Sequence, residues 1–176
     1  MNVIPAEGDE RIFKGLSAFV KECLGKVFTV RGYVGRVSKP KGPDYVLITV
    51  MAQAATSTHS AEYDAQGGTV TVIEPTRKTV QIDCYGKESE VWAKTLALLL
   101  GDEVGVTFLQ EYGFAPLYVD NVLNLTSDNN KGGFTERWTL NCMVHRPEKV
   151  TKDQEFFEGV VLESRYVSVS PGTAGE

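Results

Sequence analysis

Histidine, cysteine and basic charge are all scarce in this chain, and each scarcity removes a class of function. Among 176 residues there are two histidines and three cysteines, and 23 acidic residues outnumber 18 basic ones, for a formal charge of −5. A pI near 5.2 speaks against a protein held to nucleic acid by phosphate contacts, which requires a basic face. One local basic segment, from Lys26 to Lys41 with Lys26, Arg31, Arg36, Lys39 and Lys41, runs through strand-like sequence and reads first as a solvated face. Cys23, Cys84 and Cys142 are odd in number, irregularly spaced and set where the local periodicity turns inward. They read as reduced core thiols of a cytoplasmically made protein, not as a disulfide framework or a nucleophile. His59 falls in a polar stretch. His145 follows Cys142 at Cys-x-x-His spacing, but in a strand these side chains take opposite faces, and no second ligand pair exists.

Long apolar runs are also missing: Leu96 to Leu100 is too short to cross a bilayer, and MNVIPAEGDER lacks the basic-then-apolar order of a signal peptide, so a protein without membrane contact is expected. Glycine is plentiful at 17, yet no GxxxxGK followed by Ser or Thr occurs, and no GxGxxG joins a strand to a helix. Asp120 and Asp128 do not frame a calcium loop, because the residues between them are apolar and the terminal glutamate is absent. The carboxylate pairs Asp9/Glu10 and Glu88/Glu90 are explained as helix starts. The expectation is a protein that works by contact, with no cofactor, no metal and no catalytic residue.

What is present is a framework. From Thr79 to Gly101, Val80, Ile82 and Cys84 alternate with Gln81, Asp83 and Tyr85 as in a strand with one buried face. Gly86 breaks the alternation, and Val91, Trp92, Thr95, Leu96, Leu99 and Leu100 then share one helical face that stops at Gly101. An earlier helix is expected from Asp9, as cap, to Gly25, with Ile12, Phe13, Leu16, Phe19, Val20 and Leu24 as its stripe. Residues 27–37 form a β-rich stretch bent at Gly32 and Gly35, and 38–44 a loop. From Glu103 to Leu109 the alternation predicts a short strand, from Gln110 to Asp120 an aromatic connector, and at 121–125 a short strand or turn. After the turn at 128–133, the strand from Phe134 to His145 places Phe134, Glu136, Trp138, Leu140, Cys142 and Val144 on one face, with Trp138 as a main core anchor. Pro147 ends it. A helical turn or loop at 153–158, a last strand at 160–169 and a disordered tail at 171–176 complete the chain, with residues 1–170 as a single domain.

The run beginning at Tyr45 and returning as far as Tyr85 predicts two long strands joined by a flexible polar tip at residues 56–70. A dozen strand residues at ~3.3 Å each span ~40 Å, as wide as the whole compact chain, whose radius of gyration would be about 16 Å. The hairpin must therefore bend, for which Pro75 is placed, or project towards a neighbour as an arm. The fold class expected is α+β: a mixed, largely antiparallel twisted sheet with two main helices packed on it and a long β-hairpin arm.

VQIDCYGKESEVWAKTL at 80–96, FAPLYVDNV at 114–122 and ERWTLNCMVH at 136–145, with GYVGRVSKPKGPDYVLITVMAQ before them and QEFFEGVVLE after, together resemble the neck or tail terminator family of contractile-tailed bacteriophages. The similarity spans residues 10 to 165. It implies a virion protein, assembled in the host cytoplasm, that forms a homohexameric ring. That ring would cap the tail tube and the sheath, meet the head connector or neck protein, and let duplex DNA pass without specific binding. The polar tip from His59 to Gly68 departs from the family pattern. Candidate contacts to sister subunits or partners are Thr58, His59, Tyr63, Gln66, Tyr112, Tyr118 and Arg137. Two other readings stand beside it: a small enzyme or ligand-binding domain with a site near Tyr112, Tyr118 and His145, or another head-completion or baseplate component.

Overall fold

The computed structural model describes residues 2–33, 40, 42–128 and 133–155, and among them are twelve strands and three helices. In chain order these are β1 (Val3–Ile4), α1 (Glu10–Leu24), β2 (Phe28–Arg31), β3 (Tyr45–Ala55), β4 (Ser60–Asp64), β5 (Thr69–Glu74), β6 (Thr76–Tyr85), α2 (Ser89–Leu100), α3 (Glu103–Gln110), β7 (Ala115–Val119), β8 (Leu123–Asn124), β9 (Ser127–Asp128), β10 (Phe134–Thr135), β11 (Arg137–His145) and β12 (Glu148–Asp153).

The main sheet runs β2-β3-β6-β11-β7, with β8 next to β11 on the β7 side. Its pairings are antiparallel except β2 with β3. Register sets the faces, because residues directly opposite in adjacent strands point the same way. Ile48, Ile82 and Leu140 form one row across three strands, and Val50, Val80 and Cys142 the next. All three helices pack on this side, where Ile12, Leu16, Phe19, Leu96, Leu100 and Leu109 close the core against those rows. Each such fully buried side chain is worth roughly 1.5–3 kcal/mol relative to exposure.

A second, wholly antiparallel sheet is ordered β1-β12-β5-β4. It is built from the same ribbon that crosses the main sheet: β6 continues back into β5 through Pro75, and β11 continues into β12 through Arg146 and Pro147. Proline cannot donate to a ladder, so two prolines at one level end the first sheet and start the second. The long hairpin is thus shared between two sheets, with the Thr56 N–H donating to the Pro75 carbonyl at the changeover.

Several expectations give way here. Glu103 to Leu109 is the helix α3, not a strand: the Asp102 side chain accepts from the Val104 N–H at 3.1 Å, and Gly105 and Leu109, four apart, turn inward. The alternation of Val104, Val106 and Phe108 has a strand's period, and the buried helical face rests on Gly105 and Leu109 instead. The Gln110 to Asp120 connector contains β7, whose Pro116 is tolerated because the strand lies at an edge and the ladder is irregular between Met143 and Val144. The tip assigned to residues 56–70 holds β4, and the turn itself contracts to 65–68, where Asp64 Oδ1 accepts from the N–H groups of Gln66 and Gly67. The lead-in supplies β1, and the strand ended by Pro147 resumes as β12. The strand expected from Phe134 is interrupted at Glu136, leaving Phe134 exposed in a β9–β10 ribbon.

Trp138 sits at the core's margin, half-buried, beside the first turns of α2, with Lys94 Nζ 5.5 Å from its ring centroid. On α2 the inward face is Ser89, Ala93, Leu96 and Leu100, while Val91 is exposed. Asp9 stands at the N-cap position of α1 but makes no cap bond; its carboxylate goes to Lys78 instead. The α1 stripe itself, the β6 alternation, the main β11 faces and the short strand within 121–125 match the sequence expectation. Residues 34–37 of the bent stretch, Phe156 to Glu158, the strand expected at 160–169 and the tail at 171–176 lie outside the described residues.

Candidate interaction surfaces

Alternation on β6 and β11 sends Gln81, Asp83, Tyr85, Arg137 and Thr139 to the side of the sheet away from the helices. There they form one polar knot around Asp83, which is only 1% exposed. Its carboxylate accepts from Arg137 Nε and Nη2 at 3.2 and 3.0 Å, from Thr139 Oγ1 at 2.6 Å and from Gln81 Nε2 at 2.8 Å. Four hydrogen-bond donors satisfy the acceptor capacity of this buried carboxylate, which would otherwise be costly to remove from water. Arg137 also reaches over the Tyr85 ring, 5.7 Å from its centroid, and Tyr85 stacks on Tyr45 at 4.5 Å. Burial pushes both phenols up; the Asp83 charge adds to this and Arg137 partly opposes it. A groove of about 480 Å³ runs beside this knot, lined by Arg31, Tyr33, Leu47, Met51, Asp83 and Arg137 among others.

A second polar cluster pins the changeover between the sheets to the start of α1. Lys78, on the apolar parity of β6, is buried and meets Asp9 and, at 2.6 Å, Glu148 Oε1. The Glu148 contact is ionic without hydrogen-bonding alignment. Arg146, also buried, donates to the Gly8 carbonyl at 3.1 Å and to Glu7 Oε2 at 2.9 Å, and its own carbonyl accepts from Thr76 Oγ1. These two cations fix how the second sheet leaves the first. Beside them lies a cavity of about 420 Å³ bordered by Ile4, Arg11, Arg146 and Lys149.

The candidate contact residues fall in separate places. Thr58 and His59 lie in the exposed crossing from β3 to β4, Tyr63 on β4 and Gln66 in the turn that follows, so these four are strung along the exposed β4 edge, Thr58 and His59 at the changeover and Gln66 at the far turn. Tyr118 lies opposite Met143 on the helix-free side of the main sheet, as does His145, which lies opposite Arg77. Tyr112 is on the other side, against Phe108 at 5.9 Å and close to Gly15. The structure therefore does not bring Tyr112 together with Tyr118 and His145. Arg137 is committed internally to Asp83. Cys84 and Cys142 are buried free thiols, each pushed up to about 12 chiefly by burial, with Asp83 and Asp120 respectively adding to it. No group of three His, Cys, Asp or Glu side chains that could hold a metal ion occurs among the described residues, and no described helix is long and apolar enough to cross a membrane.

Lys78 and Arg146 are not singled out by the sequence. Lys78 carried a usable signal, since a lysine two residues before Val80 on the buried parity demands a counter-charge. Asp83 read as one member of a polar face, and nothing local told that the face would be sealed.

What these features define is a helix-backed antiparallel sheet with a second sheet grown from its ribbon, presenting faces and edges with its buried charges paired internally: a module for assembly. The family model described as phage neck terminator protein matches residues 10–165, and the chain belongs to that family. The family is one of structural tail terminators, not a class of enzymes. A solved chain described as the sheath/tube terminator of an extracellular contractile injection system, PVC, in its extended state is similar in fold, with a TM-score of 0.50 at 10% identity over 97% of this chain and 67% of that one. A comparison with curated proteins found no match.

Proposed function

We propose that copies of this chain close into a ring, homohexameric as its family resemblance implies, which ends the tail tube and the sheath and presents its far side to the head connector. The observation that carries this reading is the family match over residues 10–165, and the fold shared with a sheath/tube terminator supports it. The geometry is suited to the task. Ring subunits need two different surfaces that complement each other head to tail, and each sheet here ends in two unlike edges, β2 and β7 in one and β1 and β4 in the other. The exposed β4 edge of the second sheet, along which Thr58, His59, Tyr63 and Gln66 are spread, reaches a sister subunit or the tube. A net charge of −5 repels duplex DNA in the lumen, so the genome passes without being gripped. The protein is a virion component assembled in the host cytoplasm.

The test is electron microscopy of phage particles lacking the protein. Headless tails of irregular length are expected. Absence of tails altogether would move the protein to an earlier step and overturn the terminator role.

A further inference from the structure

We propose that the β7–β8 edge of one copy seats against the β2 edge of the next, extending the main sheet from subunit to subunit; this rests on the ring assembly proposed above. β7 and β8 pair with the same side of β11, and the chain between and after them stays bonded to it across a one-residue register slip, with Asp120 N–H donating to the Asn141 carbonyl and Leu125 N–H to the Arg137 carbonyl, each at 2.8 Å. Residues 115–125 thus form one border alongside Arg137–His145, roughly 25–30 Å long at ~3.3 Å per residue of β11. Four of its residues expose apolar side chains beside the polar Asp120, Asn121 and Asn124: Leu117 is 53% exposed, Tyr118 48%, Leu123 50% and Leu125 44%. Natural sheets blunt such borders with lysines, prolines or bulges, because an uncovered apolar edge recruits other chains. Here Pro116 and the irregular pairing at Met143/Val144 blunt one end, but 115–125 contains no lysine or arginine, and the Leu123 end is left apolar.

The opposite border offers the complement. Phe28, at the start of β2, is 58% exposed, and it lies opposite Tyr45 on the helix-free side, the side that Tyr118 shares. Because β2 is parallel to β3 while β3, β6, β11 and β7 alternate, β2 and β7 run in opposite directions. A sister copy related by rotation about a ring axis therefore brings β2 to β7 antiparallel, with aromatic side chains on a common face. Charge favours this pairing over the edge meeting itself. The β7–β8 border carries the exposed Asp120, whereas β2 carries Arg31 and is preceded by the exposed Lys26. Two β7–β8 edges face to face would oppose Asp120 to Asp120, and such a twofold contact does not propagate around a ring.

The test uses the full chain, alone and with purified tail tubes, in a Cys23→Ser background. Phe28→Cys and Tyr118→Cys in one chain should be joined by a short bis-maleimide into a ladder ending at the closed ring, while either substitution alone stays uncrosslinked. Dimers from Tyr118→Cys alone would show the edge pairing with itself, and rings visible by microscopy but giving no ladder would place the contact elsewhere; either overturns the proposal while the ring stands. Asp120→Lys should cut ring yield at least tenfold with an unchanged melting temperature, and Lys26→Asp in the same chain should restore it. Rings of Asp120→Lys that form normally but no longer hold tubes would make the tube the occupant, against the proposal. If the unmodified chain forms no ring with or without tubes, the ring reading and this interface fall together.

Discussion

Replacing Arg137 with methionine tests whether the polar knot on the helix-free face holds the sheet together. The substitution keeps the aliphatic bulk and removes the guanidinium that faces Asp83 through two nitrogens, at 3.2 and 3.0 Å. Breaking a fully buried ion pair from one side costs about 3–5 kcal/mol, because a charge is left without its counter-charge. Two features lower that figure here. The Arg137 side chain is 30% exposed, so water already screens part of the pair, and Thr139 and Gln81 still donate to the stranded carboxylate. We therefore expect about 2 kcal/mol for Arg137→Met. Asp83→Asn should cost roughly 1–2 kcal/mol, since the freed guanidinium can turn to solvent while the amide keeps some of the bonds. Urea denaturation of both single variants and the double variant gives the coupling energy directly, and it should exceed ~1 kcal/mol. Additive effects within ~0.5 kcal/mol, with Arg137→Met itself nearly neutral, would refute the idea that this pair carries stability.

Three further outcomes follow from the packing and the buried thiols. At Gly105 an added Cβ would lie 2.5 Å from the Leu99 carbonyl oxygen and 2.9 Å from Leu100 Cα, so Gly105→Ala should destabilise by about 1–3 kcal/mol in thermal unfolding although alanine favours helix; a stabilised variant would contradict the close α2–α3 corner. Trp138→Ala should cost roughly 2 kcal/mol, below the ~3–5 kcal/mol of a fully buried tryptophan, and the smaller Leu140→Ala should cost at least as much in the same denaturation assay. Unfolded thiols deprotonate near 9 while Cys84 and Cys142 hold their protons to about 12, so the unfolded state loses protons first and stability falls as pH rises through this window. Each thiol contributes on the order of 1 kcal/mol of that loss at pH 10; a flat profile from pH 9 to 11, or one that Cys84→Ala with Cys142→Ala leaves equally steep, would count against it.

The parts of the fold legible in the sequence were those where one period dominated. The α1 stripe from Ile12 to Val20 and the alternation from Val80 to Tyr85 each bury one face against the core, so their patterns are unmixed. The segment at 103–109 reads as a strand because Val104, Val106 and Phe108 alternate with period two, whereas the helical face that α3 buries is carried by Gly105 and Leu109, and a glycine gives no apolar signal. β7 and β12 are held by ladder bonds to β11 and β5 more than by their own sequence, and Pro116 and Pro147 read locally as breaks. The surfaces were harder still. Tyr118 and Arg137 could be picked out as chemistry-bearing residues, but whether an arginine reaches outward or turns to Asp83 depends on a neighbour 54 positions away in sequence.

The measurement closest to the central claim is negative-stain imaging of the purified protein mixed with tail tubes. The account predicts closed rings with a central hole, one seated at a single end of each tube. A chain that stays monomeric and leaves both tube ends bare would contradict it.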